Sequence, residues 1–194
     1  MKKILCVPLM LLFSVAARPS SAHELITIPL PGIEGRYSFP ERTYGRNMHF
    51  ELDRIPVSVN RVWIHITGVF SFGETWCNTS GTLEGPYPQG VEYLAEMKDT
   101  ISGKWFYASS VPSQSGVFEY TSQFKNFYGQ TASWDFLMAG YGNLYMNINF
   151  GLIPECWVTI WPEGTLGTAE LIIEGDFPVA VDQSTWGSIK SLFR

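Results

Sequence analysis

The chain is short of charge, of histidine and of catalytic signatures. Charged residues make up 16% of its 194 residues, and there are three histidines. Lys and Arg nowhere form a cluster, which argues against a nucleic-acid partner. There is no GxSxG elbow, no HExxH and no other zinc-protease signature, so the sequence offers no hydrolase machinery recognisable by motif. After the first two dozen residues no apolar run approaches the roughly 20 residues a membrane helix needs. No fixed-period repeat is visible, which excludes a propeller or solenoid. Helical spacing is absent until the last dozen residues, so the crossover helices of a parallel α/β sheet are missing.

What the chain has is alternation. From Val57 to Phe72 it reads VSVNRVWIHITGVFSF. Val62, Ile64 and Ile66 fall on one side of an extended strand, with Arg61, Trp63, His65 and Thr67 on the other. A period of two over this length marks a strand with one face on the core and one towards solvent. Gly68 interrupts it in the manner of a bulge or a close backbone approach. The same grammar recurs in MHFEL (48–52), VEYLAEM (91–97), KWFYA (104–108), GVFEYTS (116–122), SWDFLM (133–138), NLYMNINF (143–150), CWVTIW (156–161) and TAELIIE (168–174). HELITIPL (23–30) reads as an edge strand because Pro29 and Pro31 cannot donate to a ladder, and 36–39 as a second short strand. In NLYMNINF the residues Leu144, Met146, Ile148 and Phe150 point inward, and Tyr145, Asn147 and Asn149 outward. Residues 72–90 hold Gly73, Gly81, Gly85, Pro86, Pro88 and Gly90, and read as a long irregular loop of the functional kind. The expected fold is all-β: an antiparallel sandwich, jelly-roll-like, of nine or ten short strands.

Residues 1–22 have the form of a secretory signal peptide. Lys2 and Lys3 precede an apolar stretch from Ile4 to Ala17, and Ser20 and Ala22 are small residues before a cut at His23. The surroundings of Cys6 do not suit a lipid-modified cysteine. The expected location is periplasmic or extracellular, and the expected domain runs from 23 to 176. Removing the leader also removes Lys2, Lys3 and Arg18, leaving 10 basic and 18 acidic residues, a net charge of −8, which suits solubility. Two cysteines then remain, Cys77 and Cys156, and an even count in an exported chain predicts a disulfide. Residues 177–194 read as a linker and a C-terminal helical segment, with Ser184 as cap and Trp186, Ile189, Leu192 and Phe193 near helical spacing. They form either a helix sealing one end of the sandwich or a tail read by an export or attachment system.

The run VNRVWIHITGVFS resembles strands of secreted bacterial jelly-roll domains of the galactose-binding-like and carbohydrate-binding-module type, which carry a VxxVxLxIxG strand near the domain start. The resemblance implies a ligand-binding or adhesive role outside the cell and transfers no functional residue. No cofactor is expected; the alternative is a structural calcium, which jelly rolls often hold on loop carboxylates and carbonyls, although nothing here resembles an EF-hand loop. His49 and His65 would be neighbours, near Glu51, if their strands paired, but no ligand spacing supports a metal there.

Sugar binding is the natural reading of the outward residues. Aromatic rings stack on pyranose faces, and amides hold hydroxyls. The candidates are Trp63 and His65, then Tyr145 with Asn147 and Asn149, and Trp76 in the Gly/Pro-rich segment. A non-catalytic module for carbohydrate or another surface ligand is therefore expected. The alternatives are a structural protein of the cell surface and a glycoside hydrolase or lyase, the latter using two carboxylates among Glu119, Asp135, Glu155 and Glu163.

Overall fold

The computed structural model describes residues 21–37, 44–126, 133–149 and 156–179. The expected leader up to residue 20, Phe150, Glu155 and the expected C-terminal helix lie outside the described residues. Among those described there are thirteen strands and one short 3-10 helix. The strands are β1 (Ser21–Pro29), β2 (Gly35–Tyr37), β3 (Tyr44–Glu51), β4 (Ser58–Ser71), β5 (Gly73–Thr79), β6 (Thr82–Gln89), β7 (Glu92–Lys98), β8 (Trp105–Ser110), β9 (Gly116–Gln123), β10 (Lys125–Asn126), β11 (Tyr141–Asn149), β12 (Cys156–Ile160) and β13 (Glu163–Pro178). All pairings are antiparallel.

They form three sheets. In the first, β13 is the hub: β4 runs along one side of it, and β2 then β1 along the other, with β9 beyond β4. The second has the order β10-β8-β7-β11-β3, and the third β12-β5-β6. The first two sheets face each other across the core. Val62, Ile64, Ile66 and Phe70 of β4 and Leu171, Ile173 and Phe177 of β13 are buried from one side. Tyr93, Ala95 and Met97 of β7 and Leu144, Met146 and Ile148 of β11 are buried from the other. Each side chain so removed from water contributes roughly 1.5–3 kcal/mol. Tyr93 ties the layers together. Its ring lies 4.8 Å from that of Phe118 on β9 and meets Tyr37 of β2 edge-on at 6.0 Å, and the Tyr37 and Tyr93 hydroxyls hydrogen-bond. The expected all-β sandwich is therefore the fold, and the inward and outward faces read for β4 and, among the described residues, for β11 are those observed.

Four expectations need correction. The segment 72–90 is not a loop but the β5–β6 hairpin. Ser80 and Gly81 both have positive φ, 54° and 86°, the twist a two-residue hairpin turn requires. Pro86 and Pro88 are tolerated because β6 is an edge strand. SWDFLM is not a strand: Asp135–Ala139 is the 3-10 helix, ended by Gly140 at φ 84°. Its buried residues Phe136 and Leu137 are consecutive, which an alternating strand would put on opposite faces, and Trp134 is buried just before it. Of the two readings of Gly68, a bulge or a close approach, the bulge lies on the partner strand β13, between Leu166 and Ala169, opposite Gly68 and Ile66, and β4 itself runs on unbroken. A Cβ at Gly68 would come within 2.4 Å of the Thr165 carbonyl oxygen, so the glycine marks a close approach. Finally, β13 runs on to Pro178 and buries Phe177 completely, so Phe177 and Pro178 are strand and not linker. At the other end β1 begins at Ser21, two residues inside the segment read as leader.

Candidate functional site

The outer face of the second sheet carries a continuous set of aromatic, amide and carboxylate groups. Its register can be read strand by strand. Asn47 (β3), Tyr145 (β11), Glu96 (β7) and Tyr107 (β8) form one row, with Lys125 beyond. Asn147 is flanked by Gly45 and Leu94 in the next row, and Asn149 by Glu92 in the one after. In the other direction come Asn143 beside His49, then Tyr141 beside Glu51. Lys98 and Trp105 pair at the β7–β8 end, with the ammonium 5.7 Å from the indole centroid.

These groups are arranged, not scattered. Tyr145 leans over Gly45, where a Cβ would stand 2.2 Å from its hydroxyl; only glycine leaves that slot open. Asn147 Nδ2 donates to Asn149 Oδ1 at 2.9 Å, while Asn147 Oδ1 is buried and has no hydrogen-bond partner. Burial pushes the Glu96 carboxyl above its ordinary range, because removal from water disfavours the charged form. His49 Nδ1 lies 3.0 Å from Asn143 Oδ1 and Nε2 3.8 Å from Glu51. The His49 and Tyr141 rings are 5.7 Å apart and tilted by 39°. Tyr141 itself is 48% exposed.

Two clefts adjoin this end of the face, and His49 and Glu51 line both. One, of about 490 Å³, runs past Tyr141 to Leu52, Ile55 and Gly140. The other, of about 700 Å³, lies between the edge strands β1 and β3. Both volumes fall in the range of small-ligand sites. The second is bounded by a bidentate ion pair in which Arg54 grips Glu24, which holds that carboxyl below its usual range.

The residues singled out from the sequence do not converge. Tyr145, Asn147 and Asn149 are on this face. Trp63 and His65 are on the outer face of the first sheet, on the far side of the sandwich, because β4 and β11 belong to different layers. There the Arg61 guanidinium stands 5.5 Å from the Trp63 ring, and His65 contacts Thr121 at 3.1 Å and Glu119 at 3.6 Å. His49 and His65 are likewise in different sheets and are not neighbours. Trp76 is in the third sheet, directly opposite Trp157, where Cys77 and Cys156, the adjacent pair, form the expected disulfide. Of the candidate carboxylates, Glu119 and Glu163 do not meet either. Glu119 and Glu163 pair with β4 at Thr67 and Ser71, about 13 Å apart along the strand, beyond glycosidase spacing. Asp135 sits on the 3-10 helix, and Glu155 lies outside the described residues. Among the described residues no group of three or more His, Cys, Asp or Glu is placed to hold a metal, and no helix is long and apolar enough to cross a membrane.

The chain matches no protein-family model and no curated protein. Among solved structures it is similar to a provisionally assigned glycoside hydrolase from Bacteroides thetaiotaomicron VPI-5482, at 11% identity and TM-score 0.33, over 71% of this chain and 48% of that one. It is also similar to another from Bacteroides vulgatus ATCC 8482, at 9% identity and TM-score 0.30, over 70% of this chain and 64% of that one. This chain thus spans less than two thirds of either neighbour. Similarity at this level carries no functional argument.

Sequence reading missed Tyr141, Asn143, Glu96 and Tyr107 as members of the face. Tyr141 had a signal: alternation through Gly142 extends β11 two residues back and turns Tyr141 outward. Glu96 and Tyr107 had none, since their place beside Tyr145 follows from the strand order β8-β7-β11.

Proposed function

We propose that this chain is an exported β-sandwich that binds a neutral carbohydrate along the outer face of its second sheet. The observation that carries this reading is the pairing register that aligns Tyr107, Glu96, Tyr145 and Asn47 in one row, with Asn143 and His49 in the next row and Tyr141 in the one after. Aromatic faces match the C–H faces of sugar rings, and amides and carboxylates match their hydroxyls. From Tyr141 to Asn149 the tract extends about 27 Å, enough for several sugar units. Its charges, Glu51, Glu92 and Glu96 against Lys98 and Lys125, disfavour an anionic polymer. The leader-like N-terminus and the disulfide support a periplasmic or secreted setting.

The test is retention on an insoluble neutral polysaccharide. Tyr141→Ala should weaken binding about tenfold, the equivalent of roughly 1.4 kcal/mol, while Trp63→Ala on the opposite sheet should leave it unchanged. The reverse pattern would place the ligand on the other face.

A further inference from the structure

We infer that the third sheet carries a second carbohydrate-binding platform, built on Trp76 and Trp157 and held in place by the adjoining Cys77–Cys156 bond. Trp76 and Trp157 are partners in the β5–β12 register, one step from the disulfide-linked pair. Strand alternation puts both indoles on the same face, together with Glu74, Asn78 and, from β6, Leu83. Trp76 is seated over Gly85, where a Cβ would come within 2.9 Å of the indole. Trp157 is 46% exposed and Leu83 53%. Ile160, opposite Glu74, adds to the same surface.

A second copy of the chain or another protein is the competing occupant, and size argues against it. The exposed apolar surface of this face is on the order of 300 Å², against about 450 Å² of apolar surface per partner in a protein interface of standard size. Two indoles side by side on a rigid ladder, edged by an amide and a carboxylate, suit a short stretch of sugar chain instead. None of β5, β6 or β12 pairs with a strand of the second sheet, so this platform and the face of the proposed function are separate sites. Two sites on one chain make the module bivalent, and binding to a polymer then exceeds that of either site alone.

The inference shares its ligand class with the proposed function, so the experiment separates the two. Wild type, Trp157→Ala, Trp157→Tyr, Tyr141→Ala and Trp157→Ala/Tyr141→Ala are titrated onto amorphous cellulose, chitin and insoluble starch, with thermal midpoints to confirm folding. On the polymer that retains the wild type, Trp157→Ala should weaken binding about tenfold. Trp157→Tyr should stay within about threefold, and the double variant should not be retained. Full retention by Trp157→Ala overturns this inference and leaves the proposed function standing if Tyr141→Ala is impaired. The opposite result overturns the proposed function alone, and retention of the wild type by none of the three overturns both. Concentration-dependent dimerisation in sedimentation that Trp157→Ala abolishes would assign the platform to a second copy and also overturn the inference.

Discussion

The Tyr37–Tyr93 hydroxyl pair gives a sharp test of how the two layers are joined. Tyr37 belongs to the first sheet and Tyr93 to the second; they are 5% and 1% exposed. Replacing Tyr37 by Phe takes away the hydroxyl that faces Tyr93 and leaves a buried O–H short of a partner. Such a loss costs about 1–3 kcal/mol, or about 2–4 °C of thermal midpoint per kcal/mol at this domain size. Replacing both residues removes donor and acceptor together, and the double Phe variant should recover most of the loss. Urea unfolding of the four members of this cycle measures the coupling. The pair also predicts alkaline behaviour. Burial pushes the Tyr37 phenol up to about 12 and the Tyr93 phenol up further, while in the unfolded chain both ionise near 10. The folded chain therefore keeps protons that the unfolded chain releases. The stabilisation is complete below pH 10 and is lost as pH rises towards 12 and beyond, with a slope of about 1.4 kcal/mol per pH unit for each group. The double Phe variant should resist alkaline unfolding better than wild type. A Tyr37→Phe cost below about 0.5 kcal/mol, or a double variant less stable than the sum of the singles, would refute the reasoning.

Three further outcomes follow from other parts of the structure. Cys77→Ser/Cys156→Ser opens a link between residues 79 apart in sequence and should cost up to about 4.5 kcal/mol on the loop-closure model; a calorimetric loss below about 1 kcal/mol would count against that model here. Gly68→Ala would push a methyl to 2.4 Å from the Thr165 carbonyl oxygen and 2.6 Å from the Phe118 ring, and should destabilise by about 1–3 kcal/mol in chemical unfolding. Glu96→Gln should stabilise the fold at pH 7, because burial raises the carboxyl pKa above 4.5. Its advantage should vanish as the pH is lowered below that value, where wild-type Glu96 is protonated in both states; an unchanged difference at pH 3 and pH 7 would contradict this.

Much of the layering was legible from alternation alone, because a residue's face in a half-buried strand is fixed by parity. Val62, Ile64 and Ile66, or Leu144, Met146 and Ile148, could be assigned without knowing any neighbour. Parity says nothing of which strands are neighbours, and that is where the site reading divided. Trp63 and Tyr145 are both outward, yet β4 lies beside β13 and β11 beside β7, so the two rings stand on opposite sides of the molecule. The β5–β6 hairpin was hidden for a different reason. Its glycines and prolines are loop formers by propensity, but an edge strand tolerates missing donors, and Ser80-Gly81 supplies the turn. In SWDFLM the apolar residues at 134, 136 and 137 broke the two-residue rhythm, and that irregularity was the trace of a helical turn.

The central ladder of the first sheet has a temporal consequence. Residues 163–178 form the strand to which β1, β2 and β4 all bond, and every one of those partners precedes it in the chain. During synthesis, from the N-terminus onward, β1 and β2 have no strand to pair with until that stretch emerges. The second sheet, the β4–β9 pair and the β5–β6 hairpin can close before then, but β1, β2 and the free side of β4 present unpaired edges, which are open to mispairing, until the keystone arrives.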